Sequence, residues 1–399
     1  MFEPQKLRFN FIDLFGAPRR ALKVKKIWTH LMGLAVGYPA YLLLTYLAFL
    51  SDGNSLSITW DRFGLYPFFS LSSEALSSPA AWILYGLGLL LWLIITLLAG
   101  TIVARITYKE LKGDPFYTAN SGMKFIRRHW RAVLFSPVSL ILIIALFLLL
   151  AVLMALVGKI PFVGEIVFVG FFPVYLAGSL FVIYSVVVLI VLLLHLPAIV
   201  ALWEEDALGS SFQAYAITWN QSWRIVVYSA IIAILAIAGM VVYCGALTLG
   251  YQFLKWIFGA AWLMGDKIDP ILAWAERIVL AGDACPFQIL SGLGIPFTFL
   301  ANGMHPIAAT GWEAFIGSLL AILILLMFGS VFAYGMSIIS VGQSLSFLTY
   351  KLRTDDENLL ERKDEEDLEV EAEEQGAESA RASTEDDKGE EAQSRGAAQ

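Results

Sequence analysis

Six runs that are apolar on every side punctuate this chain: residues 28–50, 81–103, 133–158, 169–202, 225–250 and 314–341. Each reaches the about 20 residues an α-helix needs to cross a bilayer. A helix lying on a soluble core keeps a polar stripe at the helical period. These runs keep none, which makes lipid their solvent. The pattern predicts an all-α fold: a polytopic integral membrane helix bundle of about six transmembrane helices.

The segments between the runs alternate in charge. Before the first lie Lys6, Arg8, Arg19, Arg20, Lys23, Lys25 and Lys26. Between the second and third lie Arg105, Lys109, Lys112, Lys124, Arg127, Arg128 and Arg131. The segments after the first, third and fifth runs are poor in Lys and Arg. An excess of Lys and Arg marks the cytoplasmic side of a membrane protein, so the bias places both termini there, in a cell inner membrane. The first run has the length of a span and follows a long basic, aromatic stretch, so it reads as a retained anchor and not as a cleaved signal.

Two of the cytoplasmic loops are alike. Residues 107–131 end in His129-Trp130-Arg131, and residues 203–224 end in Ser222-Trp223-Arg224. In the first, Met123, Ile126, Trp130 and Val133 fall on one helical face. In the second, Phe212, Tyr215, Trp219 and Trp223 form the stripe, with Ser210 or Ser211 available as a cap. Each loop reads as an interfacial elbow helix whose Trp130 and Arg131, or Trp223 and Arg224, sit at headgroup level as anchors. The span–elbow–span unit recurs at an offset of 93 residues, from Arg131 to Arg224. Either an internal duplication or independent acquisition of the same anchor produces that recurrence.

Three domains follow: a basic amphipathic cytoplasmic arm, 1–27; a six-helix transmembrane domain, 28–350; and an acidic disordered cytoplasmic tail, 351–399. In the arm, Leu7, Phe9, Phe11, Ile12, Leu14 and Phe15 interleave with the basic residues, the pattern of an interfacial helix on an anionic leaflet. On the opposite side of the membrane, Asp269-Pro270 predicts a short helix over 271–281 ending at Gly282. Residues 287–301 are apolar but too short and too rich in Gly and Pro to span, which suits a re-entrant or interfacial segment.

Composition agrees with the runs. The chain is 58% hydrophobic and only 15% charged, against roughly 25% charged in soluble domains. The net charge of −7 averages two opposed regions. From residue 354 onward there are 18 acidic and 5 basic residues, so the membrane body is basic and the tail acidic. Such a tail is a solvated, repelling segment or a docking site for a basic cytoplasmic protein. The arm is too apolar for nucleic acid, and membrane lipids are the partner it fits.

The closing stretch Gly342-Gln343-Ser344-Leu345-Ser346-Phe347-Leu348-Thr349-Tyr350-Lys351-Leu352-Arg353 exits the last run into acidic residues. With Glu205-Asp206-Ala207-Leu208-Gly209 through Ser222-Trp223-Arg224, it resembles bacterial polytopic membrane proteins related to the membrane domain of glycerophosphodiester phosphodiesterases, loosely over residues 80–355. The resemblance implies a fold. A soluble phosphodiesterase domain is missing from the pattern, so that activity is not carried over.

Catalytic motifs are absent: no HExxH, phosphate loop, dinucleotide glycine pattern or Gly-x-Ser-x-Gly occurs. The expectation is a protein that is not an enzyme, without catalytic residues, cofactor or metal. His195, inside the fourth run, reads as a hydrogen-bonded structural residue near the interface or as part of a proton relay. Ser330, Tyr334, Ser337 and Gln343 share a polar face of the last run, which either lines a hydrated passage or packs against another helix. Gly33 and Gly37 are spaced for close helix contact. Cys244 and Cys285, both near the outer face, are a possible disulfide. The function read from these features is a membrane scaffold or accessory factor acting through lipid and protein contacts. The alternative is a passive channel or transporter for a small or lipidic solute.

Overall fold

The computed structural model describes residues 5–67, 76–279, 310–368 and 375. The chain divides into two compact units, Met1–Glu357 and Asn358–Gln399. In the first, a 3-10 turn (Phe11–Gly16) leads into α1 (Ala17–Ala21), α2 (Val24–Ser51), α3 (Leu56–Phe63), α4 (Pro79–Leu111), α5 (Ala119–Val157), α6 (Val163–Gly170), α7 (Phe172–Trp203), α8 (Ala207–Phe258), α9 (Ile268–Val279) and α10 (Gly311–Asp355). Among the described residues every regular element is helical. Six of them, α2, α4, α5, α7, α8 and α10, are long and apolar enough to cross a membrane. The protein is an all-α polytopic bundle.

The six spans form three consecutive hairpins: α2 with α4, α5 with α7, and α8 with α10. The second helix of each hairpin is the inner one, and α4, α7 and α10 also pack on one another. Their C-terminal portions, residues 99–111, 195–202 and 340–351, are continuously buried. All three end at the basic end of the bundle, beside the first turns of α2, α5 and α8. At 45 residues α10 is about 68 Å long, more than twice the roughly 30 Å of bilayer hydrocarbon. Its last turns therefore lie beyond the acyl chains, and the polar residues there are buried in protein and not in lipid.

The 93-residue offset recurs in the element bounds. Shifted by that amount, Pro79 and Leu111 fall on Phe172 and Glu204, where α7 runs Phe172–Trp203. The following helices begin five residues out of step, because 112–118 is a longer connection than 204–206. The elbows differ in construction. Residues 119–131 are the first turns of α5 itself, which contains Pro137. Residues 207–220 are set off from the rest of α8 by a break at Gln221, whose φ of −127° and ψ of 23° leave the helical region.

The first hairpin is held by small residues. A Cβ on Gly33 would lie 2.9 Å from Ala99 Cβ, and one on Gly37 3.0 Å from the Trp92 ring. On the same pair of helices, a Cβ on Gly88 would lie 3.2 Å from Leu44. Close backbone approach of this kind is how helices associate in lipid, where hydrophobic burial gives no net drive. At the far end, three tyrosines of α2 fix the backbone after α3: Tyr38, Tyr41 and Tyr46 donate to Leu65, Pro67 and Gly64 carbonyls at 2.7, 2.7 and 2.5 Å.

α9 starts three residues before the predicted position, because the 3-10 turn Gly265–Lys267 runs directly into it. Asp269 and Pro270 occupy its first turn, where a carboxylate suits the dipole and a missing N–H costs nothing. Leu272, Ala275 and Val279 pack with Ala321, Ile324 and Phe328 of α10. The predicted segment 287–301 and Cys285 lie outside the described residues.

The α5–α7 hairpin stands apart at this far end. Between Leu140 and Ser185 the only fully buried residue is Gly164, and Phe147 and Phe181 pack on each other across the pair with ring centroids 4.5 Å apart. Exposed aromatic residues mark both ends of the bundle: Phe116, Trp130, Phe212, Trp219 and Trp223 at the basic end, and Trp82, Phe162, Trp256, Trp262 and Trp312 at the other. Such paired belts sit at the two membrane–water interfaces.

The compact unit ends at Glu357, seven residues past the predicted boundary, since α10 continues to Asp355. In the second unit, Asp364 and Asp367 cap a short helical turn reciprocally, at 3.0 and 3.3 Å. Most of the predicted disordered tail lies outside the described residues.

Gly33→Leu and Gly37→Leu are expected to wedge α2 from α4 and to destabilise the protein by about 1–3 kcal/mol. Thermal unfolding in mild detergent measures this, and Gly86→Leu, at a position with open space around it, should leave the midpoint unchanged.

Candidate functional site

The basic end gathers the buried charges. Glu110, in the last turn of α4, is nearly inaccessible and meets three cations that precede or open α2: Lys23 at 3.0 Å, Lys25 at 2.7 Å and Lys26 at 2.9 Å. Lys26 is fully buried. Lys25 Nζ also donates to the carbonyls of Pro115 and Tyr117, at 3.1 and 2.9 Å, which fixes the connection into α5. Three of the seven cations predicted to serve the leaflet thus hold the first hairpin shut.

Arg105, one and a half turns earlier on α4, is 0% exposed. Its Nη1 lies 2.6 Å from Glu204 Oε1 and donates to the Ala201 carbonyl at 3.0 Å. Its guanidinium lies over the Phe125 ring at 4.4 Å and beside Tyr108 at 5.5 Å. Glu204 ends α7 in the left-handed region with φ of 61°, a conformation that costs a residue with a Cβ. The ion pair offsets that cost and joins α4, α5 and α7 at one point.

The third inner helix closes the ring of contacts. Lys351 Nζ sits 3.5 Å from the centroid of Trp203, donates to Gln213 at 3.2 Å and pairs with Asp355. Gln221 donates to Thr354 at 3.2 Å and accepts from Arg224. Above these groups the helices cross closely. A Cβ on Gly100 would lie 3.3 Å from Pro197 and 3.5 Å from Ser340 Oγ, and Ser340 bonds His30 at 3.1 Å. His195 Nδ1 donates to the Val191 carbonyl at 3.2 Å, and its ring packs 5.8 Å from Tyr350.

Two of the predicted site residues share a neighbour: Ser330 Oγ is 3.3 Å from the Tyr243 hydroxyl on α8, and the Tyr334 ring lies 5.3 Å from the Tyr243 ring while its hydroxyl donates to Pro18 in α1 at 3.1 Å. Ser337 and Gln343 are buried between helices. In the elbows the outward faces are the aromatic ones. Trp130 is 42% and Trp223 62% exposed, and each carries the next residue's guanidinium over its ring, Arg131 at 5.8 Å and Arg224 at 5.0 Å. Inward lie Gly122, Phe125, Ile126, Ala132 and Val133 in one, and Ser210, Ser211, Ala214 and Ile217 in the other. Met123, predicted on the same stripe as Ile126, is exposed. The arm is a 3-10 helix, Phe11–Gly16, that runs directly into the five-residue α1, Ala17–Ala21. Leu14 is buried, while Phe11, Ile12 and Phe15 are exposed. The Cys244 sulfur is buried, 4.0 Å from Thr248 Oγ1, and pairing with Cys285 falls outside the described residues.

Nothing in the hydropathy or charge pattern sets Lys26, Arg105, Glu110, Glu204 and Lys351 apart from the exposed charges around them. A signal was present: Thr107-Tyr108-Lys109 and Thr349-Tyr350-Lys351 close α4 and α10 with the same three residues. Among the described residues no cluster of His, Cys, Asp or Glu is arranged to hold a metal ion. Comparison of the chain with protein-family models, curated proteins and solved structures gave no match.

At the other end, Glu276 of α9 is buried, accepts from the Tyr251 hydroxyl at 2.9 Å and lies 3.5 Å from Lys255 Nζ. Burial pushes its carboxyl above the usual range, against the opposing pull of Lys255 and the Tyr251 hydroxyl.

Two outcomes are expected. Arg105→Met, which strands Glu204, should cost about 3–5 kcal/mol, and adding Glu204→Gln should recover much of it; denaturation midpoints of the single and double variants measure the coupling. For Glu276, the folded state binds a proton more tightly than the unfolded one. Its contribution is therefore greatest below the ordinary carboxyl pKa and declines as pH rises through the raised value. Hydrogen exchange over residues 268–279, corrected for the intrinsic rate, should increase with pH in the native protein and lose that dependence in Glu276→Gln.

Proposed function

We propose that the protein is a non-enzymatic membrane scaffold or accessory factor that works through lipid and protein contacts, in a cell inner membrane with both termini cytoplasmic. The observation that carries this reading is the outward placement of Trp130, at the end of the first elbow, and of Trp223, just past the Gln221 break, each under the guanidinium of the next residue. Amphipathic side chains so placed bury their rings among acyl chains and leave their charges at the headgroups. The basic excess at the same end supports its assignment to the cytoplasm. Kinship with the membrane part of glycerophosphodiester phosphodiesterases belongs to the same proposal, as a shared scaffold without the hydrolytic activity. The acidic tail serves a basic cytoplasmic protein in this reading.

A passive conduit for a small or lipidic solute is the second reading. It is favoured by Ser337, whose buried Oγ has no hydrogen-bond partner among the described residues.

Removing residues 358–399, which leaves α10 and the Gln221–Thr354 bond intact, should eliminate a stoichiometric protein partner in native mass spectrometry of gently solubilised membranes. A partner retained without the tail would refute the scaffold role of that segment. Ser337→Ala/Gln343→Ala should leave solute flux into proteoliposomes unchanged; a severalfold drop would favour the conduit.

A further inference from the structure

The two elbows share a geometry but not a charge. Residues 119–131 carry Lys124, Arg127, Arg128 and Arg131 with no acidic residue among them. Residues 207–220 carry no charged residue; Glu204, Glu205 and Asp206 stand just before them, and Arg224, the counterpart of Arg131, just after. Lys124, Arg127 and Arg131 are exposed and follow one another at helical spacing of three and four, so they form a single outward stripe. Beside it lie the exposed Met123, Trp130 and Phe116.

The stripe lies in the second to fourth turns of α5, which begins at Ala119 after the cap Thr118, and so beyond the first turn over which the helix macrodipole acts. Nothing in the packing of α5 requires it, since its buried face is made by Gly122, Phe125 and Ile126. The charges gain from an external anion held against the outward face.

We infer that residues 119–131 are a recognition surface for anionic phospholipid headgroups, and that residues 207–220 are an anchor indifferent to headgroup charge. The inference rests on the scaffold reading above, in that it takes both elbows to lie at the interface. Lys124 and Arg127 meet the phosphates, Trp130 and Met123 enter the acyl boundary, and Arg131 spans the two levels over the Trp130 ring. The second elbow, with Phe212, Trp219 and Trp223 outward, supplies depth alone. The protein thereby selects anionic lipid at the first elbow and not at the second.

The test uses the full chain in phosphatidylcholine vesicles containing spin-labelled phosphatidylglycerol or spin-labelled phosphatidylcholine. The motionally restricted fraction of each label gives their relative association. Native protein should prefer phosphatidylglycerol. Lys124→Gln/Arg127→Gln should reduce that preference by about 30-fold, on the order expected for two juxtamembrane charges. Absence of a preference in the native protein, or its survival in the double variant, overturns the inference. A bimane label at Met123→Cys, in a Cys244→Ser/Cys285→Ser background, separates this from failure of the parent reading. If lipid-borne quenchers do not reach the label, the elbow is not interfacial and both ideas fall. If they reach it while lipid preference is unchanged in the double variant, the inference alone falls.

Discussion

Burying a full charge is the most expensive thing this fold does, and the contact between Arg105 and Glu204 is what makes it tolerable. An unpaired ion taken from water costs several kcal/mol even after relaxation. Here the guanidinium has a carboxylate, a backbone carbonyl and an aromatic face. The same contact compensates the left-handed end of α7, and it is where the first two hairpins meet the start of the third span. Glu110 does the equivalent for the first hairpin with three lysines. Neither arrangement could sit among acyl chains. Both are possible because the inner helices outrun the hydrocarbon and carry their own protein surroundings with them.

Two kinds of packing therefore coexist in one chain. Within the apolar zone the helices approach through glycine, as at Gly33, Gly37 and Gly88. Beyond it they are joined by ion pairs and hydrogen bonds, with Gly100, Pro197 and Ser340 at the crossing between the two regimes. Of the polar stripe on α10, Ser330 and Tyr334 both meet Tyr243 of α8, and Tyr334 also donates to Pro18.

Much of the architecture was legible from hydropathy alone, because an all-round apolar run in lipid has one solution. The six spans, the elbow positions and the 93-residue offset followed from periodicity and the Trp–Arg pairs. The limits of the helices did not. α10 extends past its apolar run because residues 342–355 are polar and helical at once, and hydropathy reports only the first property. The buried ion pairs were hidden for a related reason. Lys26, Arg105 and Glu110 stand among many exposed charges, and a rule that counts basic residues cannot tell which of them turn inward. Elbow faces were misread in part, as with Met123, because near an interface a large apolar side chain is stable facing either protein or lipid.

The isolation of the α5–α7 hairpin between Leu140 and Ser185 has a mechanical consequence. Everything that fixes helix orientation in this protein lies at the basic end or on the side of α2, α4, α8, α9 and α10. Among the described residues the outlying pair is tied to the other helices only near its base, where Phe181 and Tyr184 meet Tyr215 of α8. A hydrophobic element with few protein neighbours adjusts its tilt to the thickness of the surrounding bilayer, at a fraction of a kcal/mol per ångström of mismatch. The bundle thus combines a rigid base with one compliant limb, and a change in membrane thickness is absorbed by the limb before it strains the ion-paired base.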